Sequence, residues 1–522
     1  MDRSIWRGTV ILTIAAIVIK ILSAVYRLPY QNLAGDVGFY VYQQVYPFYA
    51  LAVTMGGFGF PVVISKMMSE ARVKNGHKGI QTVFSTATGL LTVLGVFLFL
   101  IVFIGAPSIA WVMEDPLLIR PLHIISFIFL WMPFLAVLRG YFQGEQWNMK
   151  PTGVSQVGEQ TLRVSLILGL SFWFFYQGED PYTFGSGAAF GSMIAPLASV
   201  LILIFFFVKN KSQFRPQVKR GWNRALAKRL ISEGFAYTAT SLALVIFQFV
   251  DTLTLVPLLN DHVEASRALK GIYDRSFPFI QMGLMVAVAL ATSSVPVFAQ
   301  LKQVKEDIHQ YLKQPLRLVI ILGSAAAFGL IFIIKETNIF LFEDSLGSAT
   351  LAIMALNILS ASIVITGATL LQGLTNVWLP VIYMILMAGV KLILNMLLIP
   401  HMGIMGAGLA TVVSLFGLAG LIIHKLKKIS HLRMFELKEY ALLACSLLMM
   451  FVVVTLWKLL ANVAIFHYSH ARIESGILAL TSVGGGAIVF LVLIIKMRLL
   501  AKEDMLQLPG GKYLVKLLLK KA

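Results

Sequence analysis

The chain has 522 residues, of which 58% are hydrophobic and only 13% charged, against roughly 25% charged in an ordinary soluble domain. So little charge cannot cover so much apolar surface in water, which excludes a soluble multi-domain enzyme, and continuous apolar runs exclude an outer-membrane barrel, whose strands alternate. The net charge of +19, from 43 Lys+Arg against 24 Asp+Glu, would suggest nucleic acid in a soluble protein, but in a polytopic membrane protein its first explanation is the positive-inside rule.

Apolar stretches recur along the chain, separated by short polar breaks. They cover about 8–29, 39–64, 80–104, 119–141, 153–176, 185–208, 232–257, 276–299, 315–334, 348–373, 379–399, 404–424, 439–460 and 475–496, each of a length suited to a bilayer. The expected fold is therefore an all-α polytopic membrane protein with about 14 transmembrane helices. The basic start, Met1 to Arg7, is followed by an apolar stretch that contains Lys20 and lacks a clear small-residue cleavage site. It reads as a retained first helix. With the N-terminus inside, 32 of the 43 basic residues fall in cytoplasmic segments, 6 on the opposite side and 5 inside spans. That bias predicts cytoplasmic N- and C-termini and an even number of helices. The opposite loops carry Glu114-Asp115 and Glu179-Asp180, which read as solvated loop ends. Cys445 stands alone in an apolar run, so there is neither a disulfide framework nor zinc spacing.

An internal repeat divides the chain. Gln143-Gly144 is followed by Pro151, and Gln372-Gly373 by Pro380 at the same spacing; Pro61-Val62 matches Pro296-Val297. Helices 1–6 thus look like helices 7–12. Six-helix units share one orientation, which implies a two-fold axis along the membrane normal and a central cleft. The expected domains are an N-lobe with its linker at 1–224, a C-lobe at 225–436, two extra helices at 437–497 and a cytoplasmic tail at 498–522. In the tail Lys512, Lys516 and Lys520 recur among Leu514, Val515, Leu517 and Leu518, the pattern of a basic amphipathic helix on anionic inner-leaflet lipid.

Charges inside spans are the informative positions, because each costs roughly 2.5 kcal/mol or more without a partner or water. Lys20 and Arg27 share a face of helix 1 at i, i+7, with no acid between them. They read as an anion-binding wall, the alternative being side chains that reach back to the interface. Asp251 in helix 7 and Lys391 in helix 11, with Asn395 one turn on, are expected to pair. That pair is either an ion- or proton-coupling site or a structural ion pair. Ser155, Glu159 and Arg163 stack at i+4 on helix 5, the favourable orientation for a Glu–Arg pair, and read as structural or as part of a gate. Asp274-Arg275, before Ser276-Phe277-Pro278, is by composition an ordinary interfacial charge. Gly56-Gly57 and Gly59 mark a flexible bend; Gly484-Gly485-Gly486 marks close helix packing. The nine His residues form no zinc motif, His467 and His470 read as solvated, and there is no phosphate loop. No catalytic residue, metal site or cofactor is expected.

The run Gly59-Phe60-Pro61-Val62-Val63-Ile64-Ser65-Lys66 with Glu70, then Arg139-Gly140-Tyr141-Phe142-Gln143-Gly144, then Pro151-Thr152, Ser155-Gln156-Val157, Glu159-Gln160 and Arg163-Val164, resembles the polysaccharide-biosynthesis branch of the MOP flippase superfamily. Within it the chain is most similar to stage V sporulation protein B-like and MurJ-like proteins, over almost its whole length. The resemblance implies a transporter in the bacterial cytoplasmic membrane that flips a lipid-linked, polyprenyl-pyrophosphate oligosaccharide or peptidoglycan precursor by alternating access. Lys20 and Arg27 match the basic pair of helix 1 in such flippases, and Arg275 becomes a head-group contact. Asp251 matches an acidic position linked to sodium in some members, whereas Lys391 departs from that pattern and stands against sodium coupling. Coupling by H+, Na+ or the membrane potential is left open. Envelope-synthesis enzymes are candidate partners, and nucleic acid is not. A MATE-type cation-coupled drug or metabolite antiporter is the alternative; it would favour acidic and aromatic cavity residues. A membrane enzyme is disfavoured by short loops with few carboxylates, and a scaffold would tolerate loss of every cavity charge.

Overall fold

The computed structural model describes residues 26–144, 149–209, 223–259, 262–285, 308–430, 435–464 and 471–497, with a few isolated positions beside them. Lys20, Pro296-Val297, His467, His470, most of the 209–229 linker and the basic tail lie outside the described residues.

Among the described residues the secondary structure is helical, without strands. Helix α1 is Arg27–Thr54, followed by a π-helical turn, Met55–Gly59, and α2, Phe60–Val112. A 3-10 turn, Pro116–Leu118, leads into α3 (Ile119–Ser126), α4 (Ile128–Gly144), α5 (Lys150–Gln177) and α6 (Pro181–Lys209). Then come α7 (Arg224–Ser241), α8 (Ala243–Leu258), α9 (Val263–Asp274) and α10 (Ser276–Gly283). The remainder is α11 (Ile308–Phe342), α12 (Ser348–Ala355), α13 (Asn357–Leu374), α14 (Leu379–Ser430), α15 (Leu437–Ala464) and α16 (Ala471–Lys496).

Eight helical stretches among these residues are long and apolar enough to cross a membrane, and α7 with α8, bent by 75°, makes one more when taken as a broken span. The chain is a multi-pass membrane protein. Two stretches are far too long for one crossing. Arg27–Val112 has 86 residues, about 130 Å of helix against a hydrocarbon core of about 30 Å. It is broken at Gly35 and Gly76, and α14 is broken at Gly403. Gly76 (φ 56°, ψ −139°) and Gly403 (φ 57°, ψ −140°) share a conformation that a Cβ forbids. Each lies between two apolar stretches of the sequence, so a single glycine turns the chain where a loop is expected. The bend expected at Gly56-Gly57 and Gly59 is the π-helical turn. There Gly56 packs beside Leu135 of α4 and Gly59 against Thr238 of α7.

The chain forms two compact units. The first holds residues 1–274 and 384–407, the second 275–383 and 408–522. The first unit has a core of Tyr30, Phe39, Tyr42, Ile125, Phe129 and Ile167, and another around Phe60, Met67, Val83, Leu91 and Leu135. In the second unit Leu318 and Ile321 of α11 pack with Met450, Val454 and Phe490 of α15 and α16. Ion pairs pin the same helices: Arg317–Glu439 at 2.7 Å, Lys458–Glu336 at 2.5 Å, and Arg472–Glu343. Lys458, an isolated charge in its span by sequence, thus has its counter-ion on the neighbouring helix. The compact units describe packing; the sequence lobes 1–224 and 225–436 describe a repeat, which stands as a proposal about internal symmetry. The two Gln-Gly…Pro motifs occupy matching places, each closing one helix (α4, α13) and opening the next (α5, α14).

Candidate functional site

The first unit buries its charges in three groups. In the first, Asp251 on α8 meets Lys391 and Asn395 on α14, as their placement in the sequence predicts. The Lys391 ammonium donates to Asp251 Oδ2 at 2.6 Å and to the Phe247 carbonyl at 2.8 Å. Asn395 Nδ2 donates to Asp251 Oδ1 at 3.0 Å and to Thr254 Oγ1 at 2.8 Å. Tyr273 adds a hydroxyl bond to Asp251 Oδ2 at 2.7 Å. Asp251, Lys391 and Asn395 are all fully buried. The carboxylate therefore has a full counter-charge and three hydrogen-bond donors around it, the condition under which a buried ion pair is tolerated. Next along α9, Lys270 and Asp274 form a second fully buried pair at 2.6 Å. By sequence Asp274 reads as an ordinary interfacial charge.

The second group centres on Asp115, read from sequence as a solvated loop end. It is fully buried instead. Its carboxylate accepts from Tyr40 on α1 at 3.0 Å, Tyr182 on α6 at 2.6 Å, Arg267 on α9 at 2.9 Å and the Leu117 amide at 3.2 Å. The 3-10 turn that follows the end of α2 folds Asp115 inward, and four donors neutralise it there. Asp180 stays at the surface, accepting from the Tyr182 amide at the start of α6.

The third group contains the arginines. Glu159 and Arg163 share a face of α5 but do not pair with one another. Glu159 accepts from Arg139 of α4 at 2.7 Å, and the same guanidinium nitrogen donates to Ser199 of α6 at 2.7 Å. Helical spacing places two side chains on one face; a third helix decides which partner each takes. Arg163 turns to a cluster of tyrosines. Its Nη2 donates to the hydroxyls of Tyr26, at 2.8 Å, and Tyr42. Nε donates to Ser192 at 3.2 Å and Nη1 to Gln160 at 3.4 Å. Its guanidinium lies 4.1 Å from the Tyr49 ring centre.

Arg27 is buried, 2% exposed, with its guanidinium 5.0 Å from the centre of the Tyr46 ring. Its Nε and Nη1 have no hydrogen-bond acceptor among the described residues. No carboxylate among them forms an ion pair with Arg27 or Arg163. Asp274, which interacts electrostatically with Arg27, is already paired with Lys270. Chemically, this is a polar, tyrosine-lined site with uncompensated positive charge. A signal for it was present in the sequence: Tyr42, Tyr46 and Tyr49 recur at helical spacing in an otherwise apolar span.

Arg275, in the second unit, is engaged by a carboxylate. It makes a bidentate pair with Asp344 at 2.7 and 3.0 Å and lies 4.8 Å from the centre of the Phe342 ring. Partial burial disfavours the Asp344 carboxylate, but the Arg275 fork and the Leu346 amide outweigh it and hold its pKa below the ordinary value. No cluster of His, Cys, Asp or Glu suited to a metal ion occurs among the described residues.

The chain matches the family model described as polysaccharide biosynthesis protein over residues 5–302. It is 38% identical to an uncharacterized membrane protein, YabM, of Bacillus subtilis (strain 168), over 98% of this chain and 96% of the relative. It is 27% identical to stage V sporulation protein B of the same organism, over 96% and 97% of the two chains. With that organism's lipid II flippase MurJ it shares 25% identity over 79% and 80%. Among solved structures, lipid II flippase MurJ in an inward closed conformation superposes with a TM-score of 0.65 at 16% identity, covering 92% of this chain and 99% of that one. An inward-facing multidrug MATE transporter of the MOP superfamily gives 0.60 at 14% identity, covering 79% and 95%. These structural likenesses show the fold alone, an all-α transporter fold. The sequence matches go further: the chain belongs to the polysaccharide biosynthesis protein family.

Proposed function

We propose that this protein is a flippase, not an enzyme, carrying a polyprenyl-pyrophosphate-linked oligosaccharide or peptidoglycan precursor across the cytoplasmic membrane by alternating access. The observation that carries this reading is Arg27, a buried guanidinium with two free donor nitrogens and no ion-pair partner among the described residues. A desolvated cation is costly unless an anion visits it, and a guanidinium fork suits phosphate oxygens. The lipid tail stays in the bilayer while the charged head crosses. The relative named as a lipid II flippase supports this substrate class. Lys20, two turns before Arg27 by sequence, is assigned to the same wall. Arg275 takes part by exchanging the Asp344 carboxylate for a phosphate of equivalent geometry. Both termini are assigned to the cytoplasmic side by the charge bias.

The MATE-type alternative has the fold likeness in its favour. An organic cation, however, would use the tyrosine faces that Arg27 and Arg163 already occupy. The test is reconstitution of purified protein in liposomes with a defined polyprenyl-pyrophosphate sugar, with and without ion gradients or voltage. Arg27→Gln should lower the translocation rate at least about tenfold, which corresponds to about 1.4 kcal/mol, at unchanged protein yield. A normal rate for this variant sinks the assignment.

A further inference from the structure

We propose that Arg163 is a second head-group cation, which with Arg27 forms a two-cation pocket selecting a pyrophosphate over a single phosphate. This rests on the flippase reading above and names the part of the substrate that the site reads. Arg163 is 3% exposed. The acid one turn before it, Glu159, is consumed by Arg139. Among the described residues every hydrogen-bond partner of Arg163 is neutral: Tyr26, Tyr42, Ser192 and Gln160. The aromatic faces compensate a desolvated cation only in part, by about 2 kcal/mol. Arg27 and Arg163 approach the same ring, Tyr46, at 5.0 and 5.9 Å from its centre. Their guanidinium carbons are thus at most about 11 Å apart, the sum of those distances.

The hydrogen count points the same way. The hydroxyls of Tyr26, Tyr42 and Ser192 form a chain, Tyr26 to Tyr42 at 3.1 Å and Tyr42 to Ser192 at 3.2 Å. Two contacts use two of the three hydroxyl hydrogens, so one is left over. Gln160 Nε2 is also buried without an acceptor, as are Arg27 Nε and Nη1. The spare groups of Arg27 and of Gln160, which contacts Arg163, are therefore donors. A pocket with spare donors and two uncompensated positive charges matches an anion with two adjacent charged groups and many acceptor oxygens. A monophosphate satisfies only half of it.

The experiment measures equilibrium binding of the full chain in nanodiscs to sugar-free polyprenyl pyrophosphate and polyprenyl monophosphate of equal chain length. Wild type should prefer the pyrophosphate at least tenfold. Arg163→Gln should bring the two affinities within threefold, and Arg163→Lys, which keeps the charge, should retain most of the preference. In case Arg163→Gln does not fold, Tyr49→Trp places a reporter ring under Arg163. Its emission should shift with the pyrophosphate and not with the monophosphate. Equal wild-type affinity for both probes, full preference in a folded Arg163→Gln, or a silent reporter with pyrophosphate bound overturns the two-cation pocket. Wild type binding neither probe overturns the flippase reading itself, so the two failures are distinct.

Discussion

The Asp251–Lys391 cluster and the Arg27–Arg163 pocket are equally buried within one unit, yet they solve the burial of charge in opposite ways. Asp251 and Lys391 neutralise each other, and Tyr273, Asn395 and the Phe247 carbonyl complete their hydrogen bonds. The arginines keep their charge and are surrounded by hydroxyls, amides and ring faces. The first arrangement is closed on itself. The second holds two cations without a counter-ion among the described residues, the place we propose for the anionic head group. Burial alone therefore does not separate the two groups; the counter-ion does.

This contrast can be tested from its largest consequence downward. Lys391→Met leaves Asp251 buried and unpaired, and should destabilise the protein by about 3–5 kcal/mol. Combining it with Asp251→Leu should restore much of the loss, read by thermal unfolding in one detergent. A single variant as stable as wild type would show that water already reaches the pair. Gly271→Ala tests the packing of α9 on α1, because a Cβ there overlaps the Asp36 carbonyl. It should cost about 1–3 kcal/mol despite the better helix propensity of Ala. Arg27→Gln should move stability by less than about 1 kcal/mol, since two of its nitrogens lose no partner, while transport falls. A large stability loss would return Arg27 to a structural role. The smallest effect belongs to Arg275–Asp344, a pair one-third exposed on its acidic side. Discounted for solvent screening, Asp344→Asn should cost at most about 1 kcal/mol. Because the folded carboxyl is held below its ordinary pKa, the contribution is complete above about pH 3.9 and is lost as the pH falls through the lower folded value. Wild type and Asp344→Asn should therefore converge in thermal stability in acid, and a gap that widens there would contradict the pair's role.

The helical class, the apolar stretches and the Asp251–Lys391 pair were legible in the sequence, because opposite charges in apolar spans of one bundle require each other. The pairing of Glu159 with Arg163 is not formed, for a reason local spacing cannot contain. Arg139, twenty residues earlier, reaches Glu159 across the helix interface and releases Arg163 to the tyrosines. Asp115, Arg267 and Lys270 were hidden by context. They lie in or beside segments whose composition suggests loops, and only tertiary packing buries them. The single-glycine turns were equally invisible, since a polar break such as Lys74 to Lys78 predicts a loop. The tyrosine stripe of α1 was visible but had no meaning until its cation was known.

The turn at Gly76 has a mechanical consequence. Its two arms, the halves of α2, are joined by one residue with no loop to take up slack. Sliding one arm along the other by a helical turn, about 5.4 Å, would need chain that is not there. The two arms must therefore travel as one lever, with their relative register fixed by a joint that can swing but not lengthen.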